Sequence, residues 1–270
     1  MSNLRASASA VKLPTSGFVR YSNLLFELVK RDFAMRFTGS AFGLAWAVLQ
    51  PLSLVFLYWF VFTVMIPRNP TFAGNNEYVV FLIAGLIPWL GFQEGVMRGT
   101  TSMVENAPVV RRLTFRSDVL VVVPNVSALL FELIGLALYI AFLVIRGGFS
   151  LGGFWLLPFA LLIQFTIQLG LSWFLAATYV FFRDLLQLLG FVLSIVFYLS
   201  PILYPVGGRF EKYFVWNPMT PLLGLFRSAL LAAPLPSVGS FVFLLTVSAA
   251  VFAIGLLFFR RAQPNLADLL

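Results

Sequence analysis

From Leu185 to Tyr204 the chain reads LLQLLGFVLSIVFYLSPILY, about 20 residues without a charge. As a helix that run covers roughly 30 Å, the thickness of a bilayer's hydrocarbon core. No water reaches that depth to satisfy backbone N–H and C=O groups, and a helix satisfies them within the segment itself. Comparable apolar runs occupy 43–66, 78–97, 119–145, 154–182 and 241–259. The expected fold class is all-α integral membrane, with six transmembrane helices in a single transmembrane domain over 1–270. Composition agrees, because 60% of the residues are hydrophobic and only 10% charged, where a soluble domain carries roughly a quarter charged. A soluble globular fold is excluded.

The run at 185–204 ends in Ser200-Pro201 and Pro205, and proline's missing N–H and fixed φ oppose straight continuation. A charged turn with Arg209, Glu211 and Lys212 follows, then Asn217-Pro218-Met219-Thr220-Pro221 and a half-apolar stretch to Arg227. The 206–232 segment is too short and too broken to span a bilayer. It reads as re-entrant, which lipid tolerates only where protein or a water-filled path lies beside it. A crossing helix capped by such a plug suggests a gated pathway.

The net charge of +8 invites a nucleic-acid reading, but the basic residues are spread between apolar runs and do not cluster. Topology explains them better. With six spans and both termini inside, the inner side carries Arg5, Lys12, Arg20, Lys30, Arg31, Arg36, Arg98, Arg111, Arg112, Arg116, Arg183, Arg260 and Arg261. The outer side carries Arg68, Arg146, Arg209, Lys212 and Arg227. Thirteen against five follows the positive-inside rule. Contact with membrane lipid is expected and nucleic acid is not. Residues 1–17 lack the apolar core of a cleavable signal and are expected to be loosely ordered.

Over 18–38 the pattern turns amphipathic. Arg20, Asn23, Glu27, Lys30 and Arg31 share one face; Tyr21, Leu24, Leu25, Leu28 and Met35 share the other. A basic amphipathic helix before a span reads as interfacial, lying on the cytoplasmic surface. The alternative is a surface helix packed on a soluble partner. Glu94 and Arg98, four apart, are expected to pair as a structural feature. Glu132 lies mid-span, where a carboxylate is costly and marks either function or interhelix bonding. Gln164, Gln168, Ser172 and Thr178 add intramembrane hydrogen-bonding groups.

The chain has no Cys and no His, so it lacks thiolate chemistry and the commonest metal ligand and general base. It has no phosphate-binding loop of the GxxxxGK type and no catalytic motif. No catalytic residue, metal or cofactor is expected on this chain. It does carry 31 Phe, 8 Tyr and 6 Trp. Aromatic faces stack on the apolar faces of sugar rings, so rings lining a passage would hold a glycan weakly at many points. Lipid-facing Phe is the competing explanation.

Arg183-Asp184, the string from Tyr198 to Pro205, the Asn217–Pro221 segment and Arg227 resemble the membrane subunit of type-2 ABC exporters. Within that family they are similar to exporters of lipid-linked polysaccharides: O-antigen, capsule and teichoic acid. The likeness extends over nearly the whole chain, from the amphipathic helix through RDFAMRFTGS and LIAGLIPWLGF. One departure is Phe115-Arg116, where the family often has Phe-Pro.

The resemblance implies a cytoplasmic coupling helix in the 99–117 loop, with Glu105, Asn106, Arg111 and Arg112, together with Arg31 and Asp32, meeting an ATPase. It implies pore-lining Trp46, Tyr58, Trp59, Phe197, Tyr198 and Tyr204. It implies an outer gate built from Ser200, Pro201, Pro205, Asn217, Pro218 and Arg227. It also implies a homodimer with two copies of a separate ABC ATPase that carries Mg-ATP. The substrate would be an undecaprenyl-linked polysaccharide, O-antigen first, crossing a bacterial inner membrane. Rival classes are a secondary transporter, a membrane glycosyltransferase or ligase, and an exporter of a small lipid or drug.

Overall fold

The computed structural model describes residues 17–36, 39–40, 42–65, 75–110, 117–149, 151–205 and 214–269. In chain order the helices are α1 (Gly17–Met35), α2 (Trp46–Phe60), α3 (Asn75–Glu105), α4 (Ala107–Val110) and α5 (Asp118–Ile145). They continue with α6 (Leu157–Phe181), α7 (Leu185–Tyr198), α8 (Met219–Leu231) and α9 (Val238–Leu269). A tight helical turn at Gly43–Ala45 leads into α2, a wider one at Val61–Met65 ends it, and Leu151–Leu156 leads into α6. There is no strand among the described residues.

Among the described residues four segments are long and apolar enough to cross a membrane: Glu77–Glu105, Asp118–Ile145, Leu151–Phe181 and Val238–Pro264. With the shorter apolar helices α2, α7 and α8, this is the architecture of a multi-pass membrane protein.

Several helix ends differ from the sequence expectation: α9, expected over 241–259, runs from Val238 to Leu269, and two others have a local reason. The helix expected over 185–204 stops at Tyr198 after 14 residues, about 21 Å of rise. Pro201 has no N–H to continue it, and Ser200 Oγ donates to the Val196 carbonyl at 2.6 Å. α3, expected to end at Met97, instead runs on to Glu105. There Thr100 and Ser102 turn their hydroxyls back to the carbonyls of Val96 and Gly99, each at 2.7 Å. Met103 is fully buried on the same stretch.

α3 is the central element. Its Leu82, Ile83, Leu86 and Trp89 join Ile163 and Ile167 of α6 and Leu222, Leu223 and Phe226 of α8 in the main core. A second cluster gathers Met103, Val121, Leu169, Trp173, Phe259 and Leu266. The apolar window of α3 is 72% buried within the chain, whereas that of α9 is 17% buried. α6 and α9 cross at glycines: a Cβ on Gly255 would lie 1.9 Å from the Gly170 carbonyl oxygen. Small residues allow that approach, the usual means of close helix packing in lipid. α1 lays Leu25, Leu28 and Val29 on Val119, Val123 and Val126 of α5, leaving Met35 exposed.

Candidate functional site

A polar seam runs through the middle of the bundle. On α3, Gly91, Gly95 and Gly99 recur every four residues and so form one stripe. On α6, Gln164, Gln168 and Ser172 repeat the same spacing, with Gln168 against Gly95 and Ser172 against Gly99. A Cβ on Gly91 would lie 2.3 Å from Glu132 Oε2, and one on Gly95 would lie 1.9 Å from Gln168 Nε2. A Cβ on Gly99 would meet Ser172 Oγ at 2.5 Å and Asn125 Nδ2 at 2.7 Å.

Glu132, only 4% exposed, accepts from Gln164 Nε2 at 2.5 Å, and that amide also reaches the Pro88 carbonyl at 3.2 Å. Gln168 and Ser172 both donate to Asn125 Oδ1, at 3.0 and 3.1 Å. Polar groups in lipid demand partners, and here the glycines make room for them. Glu132 also lines a cavity of about 80 Å³ shared with Gln50, Arg36 and Glu94. Such a volume admits water.

At one end of α3 lie the residues expected to form a gate. Arg227 on α8 is buried, with its guanidinium 3.5 Å from the centre of the Phe81 ring. It donates to the carbonyls of Phe81 and Ile202, both at 3.4 Å, and stands where a Cβ on Gly85 would touch it. Tyr78 donates to the Leu203 carbonyl at 2.6 Å. Asn217 Nδ2 donates to the Leu199 carbonyl and to Ser200 Oγ, both at 3.0 Å, and its Oδ1 accepts from Met219 N at 2.9 Å. That last bond satisfies a first-turn donor of α8. Ser200 and Pro201 are buried, while Pro205 and Pro218 are half-buried. Arg227 and the Leu203 carbonyl are thus tied to α3, while Asn217 and Ser200 bond to each other and to their own neighbours. Residues 206–213, with Arg209, Glu211 and Lys212, lie outside the described residues.

The opposite end of α3 joins α1 through charge. Arg36 holds Glu94 through both guanidinium nitrogens, and Arg98 donates to Asp32 at 2.7 Å. The expected Glu94–Arg98 pair is the loosest contact of the set, at 3.8 Å. Phe131 of α5 stacks on Phe33 at 4.6 Å and lies under Arg36 at 3.8 Å. Beside this network a cleft of about 420 Å³ is lined by Arg31, Asp32, Glu105 and Asn106, among others. Four of the six residues assigned to ATPase coupling therefore share one cleft. Arg111 and Arg112 lie outside the described residues.

The aromatic candidates divide. Trp46 and Trp59 on α2 are exposed, as are Tyr198 at the end of α7 and Tyr204 beyond it. Tyr204 donates to the Tyr198 carbonyl. Tyr58 and Phe197 are half-buried and pack against the core, with Phe197 5.8 Å from Trp89. Phe56, Phe60 and Phe191 extend the exposed aromatic surface of α2 and α7.

The family model for the ABC-2 type transporter matches residues 23–231. The chain belongs to that family. This ABC-2 chain is 27% identical to the O-antigen export system permease protein RfbA of Myxococcus xanthus, covering 92% of this chain and 96% of the relative. It is 26% identical to the RfbA permease of Klebsiella pneumoniae, covering 92% and 95%. It is 24% identical to the polysialic acid transport protein KpsM of Escherichia coli, covering 92% and 96%.

Sequence reasoning missed two features of the ABC-2 chain. The glycine stripe was written in the sequence as GxxxGxxxG, matched by the four-residue spacing of Gln164, Gln168 and Ser172. The α1–α3 ion pairs join residues 58 and 66 apart, and no local spacing signals them.

Proposed function

We propose that this chain is the permease subunit of an ATP-driven exporter of lipid-linked polysaccharide, with O-antigen the first candidate. It crosses a bacterial inner membrane six times with both termini in the cytoplasm. Two copies form the passage between them, and two copies of a separate ATPase bind and hydrolyse Mg-ATP. The chain itself is not an enzyme. Its cargo is an undecaprenyl-linked glycan, moved from cytoplasm to outer face.

The observation that carries this reading is the exposed aromatic surface of α2 and α7, on helices of 15 and 14 residues. In one copy these are the thinly covered spans, and their rings suit a glycan's apolar faces. Likeness over 92% of the chain to permeases named for O-antigen and polysialic acid supports the cargo class. In this reading the α1–α3 cleft receives the ATPase, and the knot around Arg227 closes the outer end. A secondary transporter built on Glu132 is the second reading, favoured by that carboxyl's burial.

The test is purification of the solubilised chain from its native membrane, with an ATPase assay on what accompanies it. A stoichiometric ATPase whose activity falls when Arg111 and Arg112 are replaced by Glu supports the exporter and its coupling loop. Recovery of the chain alone, with proton-driven flux or sugar transfer, overturns it.

A further inference from the structure

α1 touches α5 where Val29 meets Val119 and Val123 and where Phe33 stacks on Phe131. Beside those contacts the two helices leave a groove of about 890 Å³ between them. Leu25, Phe26 and Phe33 line it from α1, and Leu130, Leu133 and Ala137 line it from α5. Phe26 is 67% exposed and Leu133 39% exposed, so nothing among the described residues fills the space. The α5 wall runs from Val126 to Ala137, about 16 Å along a helix long enough to cross the bilayer. With α5 read as a span, hydrocarbon surrounds this apolar stretch, and the groove's natural filling is a hydrocarbon chain.

The rim adds a headgroup preference. Arg31, Asp32 and Arg36 line the polar cleft on the other side of α1. Lys30 alone among the charged residues of α1 lines the groove. It is exposed and forms no ion pair among the described residues. A basic side chain at a membrane surface attracts anionic lipid.

We propose that this groove is a resident lipid site, holding an acyl chain of an anionic glycerophospholipid whose phosphate pairs with Lys30. The lipid completes the seat of α1 on α5 beside the Val29 and Phe33 contacts. The site rests on the chain being a membrane protein, and it is independent of what is exported or which ATPase attends it.

The test reconstitutes the intact complex in nanodiscs of equal phosphatidylglycerol and phosphatidylcholine, then extracts it gently and quantifies retained lipid by mass spectrometry. Retention of phosphatidylglycerol over phosphatidylcholine by about five-fold is expected, the preference that one lysine near the surface supplies. Lys30→Gln should erase the preference while lipid is still retained. Ala137→Trp, which fills the groove from an exposed position, should remove the retained lipid itself. Equal enrichment in wild type and Lys30→Gln overturns the proposal, as does retention unchanged by Ala137→Trp. Recovery of a polyprenyl phosphate in place of the phospholipid would make the groove a cargo site and likewise overturn it.

Discussion

At Gly91 a hydrogen in place of a methyl decides whether Glu132 can sit where it does. A Cβ there would meet Glu132 Cβ at 2.8 Å as well as its carboxylate. The Cβ is fixed to its helix and the carboxylate is held by Gln164 Nε2 at 2.5 Å, so neither swings away at little cost. Gly91→Ala should therefore destabilise the chain by about 1–3 kcal/mol, the range for overpacking a filled interior. In a Glu132→Gly background most of that loss should vanish, because the Cβ and the carboxylate it would meet are both gone. Thermal unfolding of the four combinations in detergent measures the coupling, and strictly additive losses would refute the contact. Glu132 was legible as an expensive residue from its place in an apolar run. Its partner was not, because Gln164 lies 32 residues away on another helix. Arg227 was legible only as a motif residue, and its true neighbours are two carbonyls and a ring.

At the scale of elements, α8 ends on Ala232, a residue with a side chain held at φ 52°. The left-handed region is disfavoured for any residue with a Cβ and is the usual place for glycine after a helix. Ala232→Gly should raise stability by about 1 kcal/mol, offset in part by the freedom glycine gains in the unfolded chain. A shift in the thermal midpoint checks it, and a lower midpoint would mean the Ala232 methyl packs usefully. Helix existence was legible from apolar length; helix ends were less so. Pro201 marked the zone where α7 stops, but Ser200 Oγ bonding to Val196 settles the last turn. The 99–105 stretch looks like loop by its Gly, Thr and Ser content, yet buried Met103 holds it in α3.

Across the whole molecule, the uncovered aromatic flank of α2 and α7 is where the proposed second copy belongs. The chain has no Cys, so single cysteines report contacts without background. Trp59→Cys or Tyr198→Cys should cross-link under a short bismaleimide to twice the 30.1 kDa of one chain. Leu162→Cys, equally exposed on α6, should stay monomeric. Equal cross-linking at both places would move the interface elsewhere. That the chain is built of apolar helices was legible from the sequence, whereas their arrangement around α3 was not. Nothing in an all-round apolar pattern says which helix goes to the middle.

The glycine stripe of α3 also sets a waiting time. Gly95 and the Ser172 hydroxyl that reaches its carbonyl are separated by 77 residues. At synthesis rates of roughly 5–20 residues per second, that gap is about 4–15 s. During that interval α3 is made but its grooves fill in order, Asn125 and Glu132 of α5 arriving first and Gln168 and Ser172 of α6 last. Whatever inserts this chain must shelter a half-polar helix until α6 arrives.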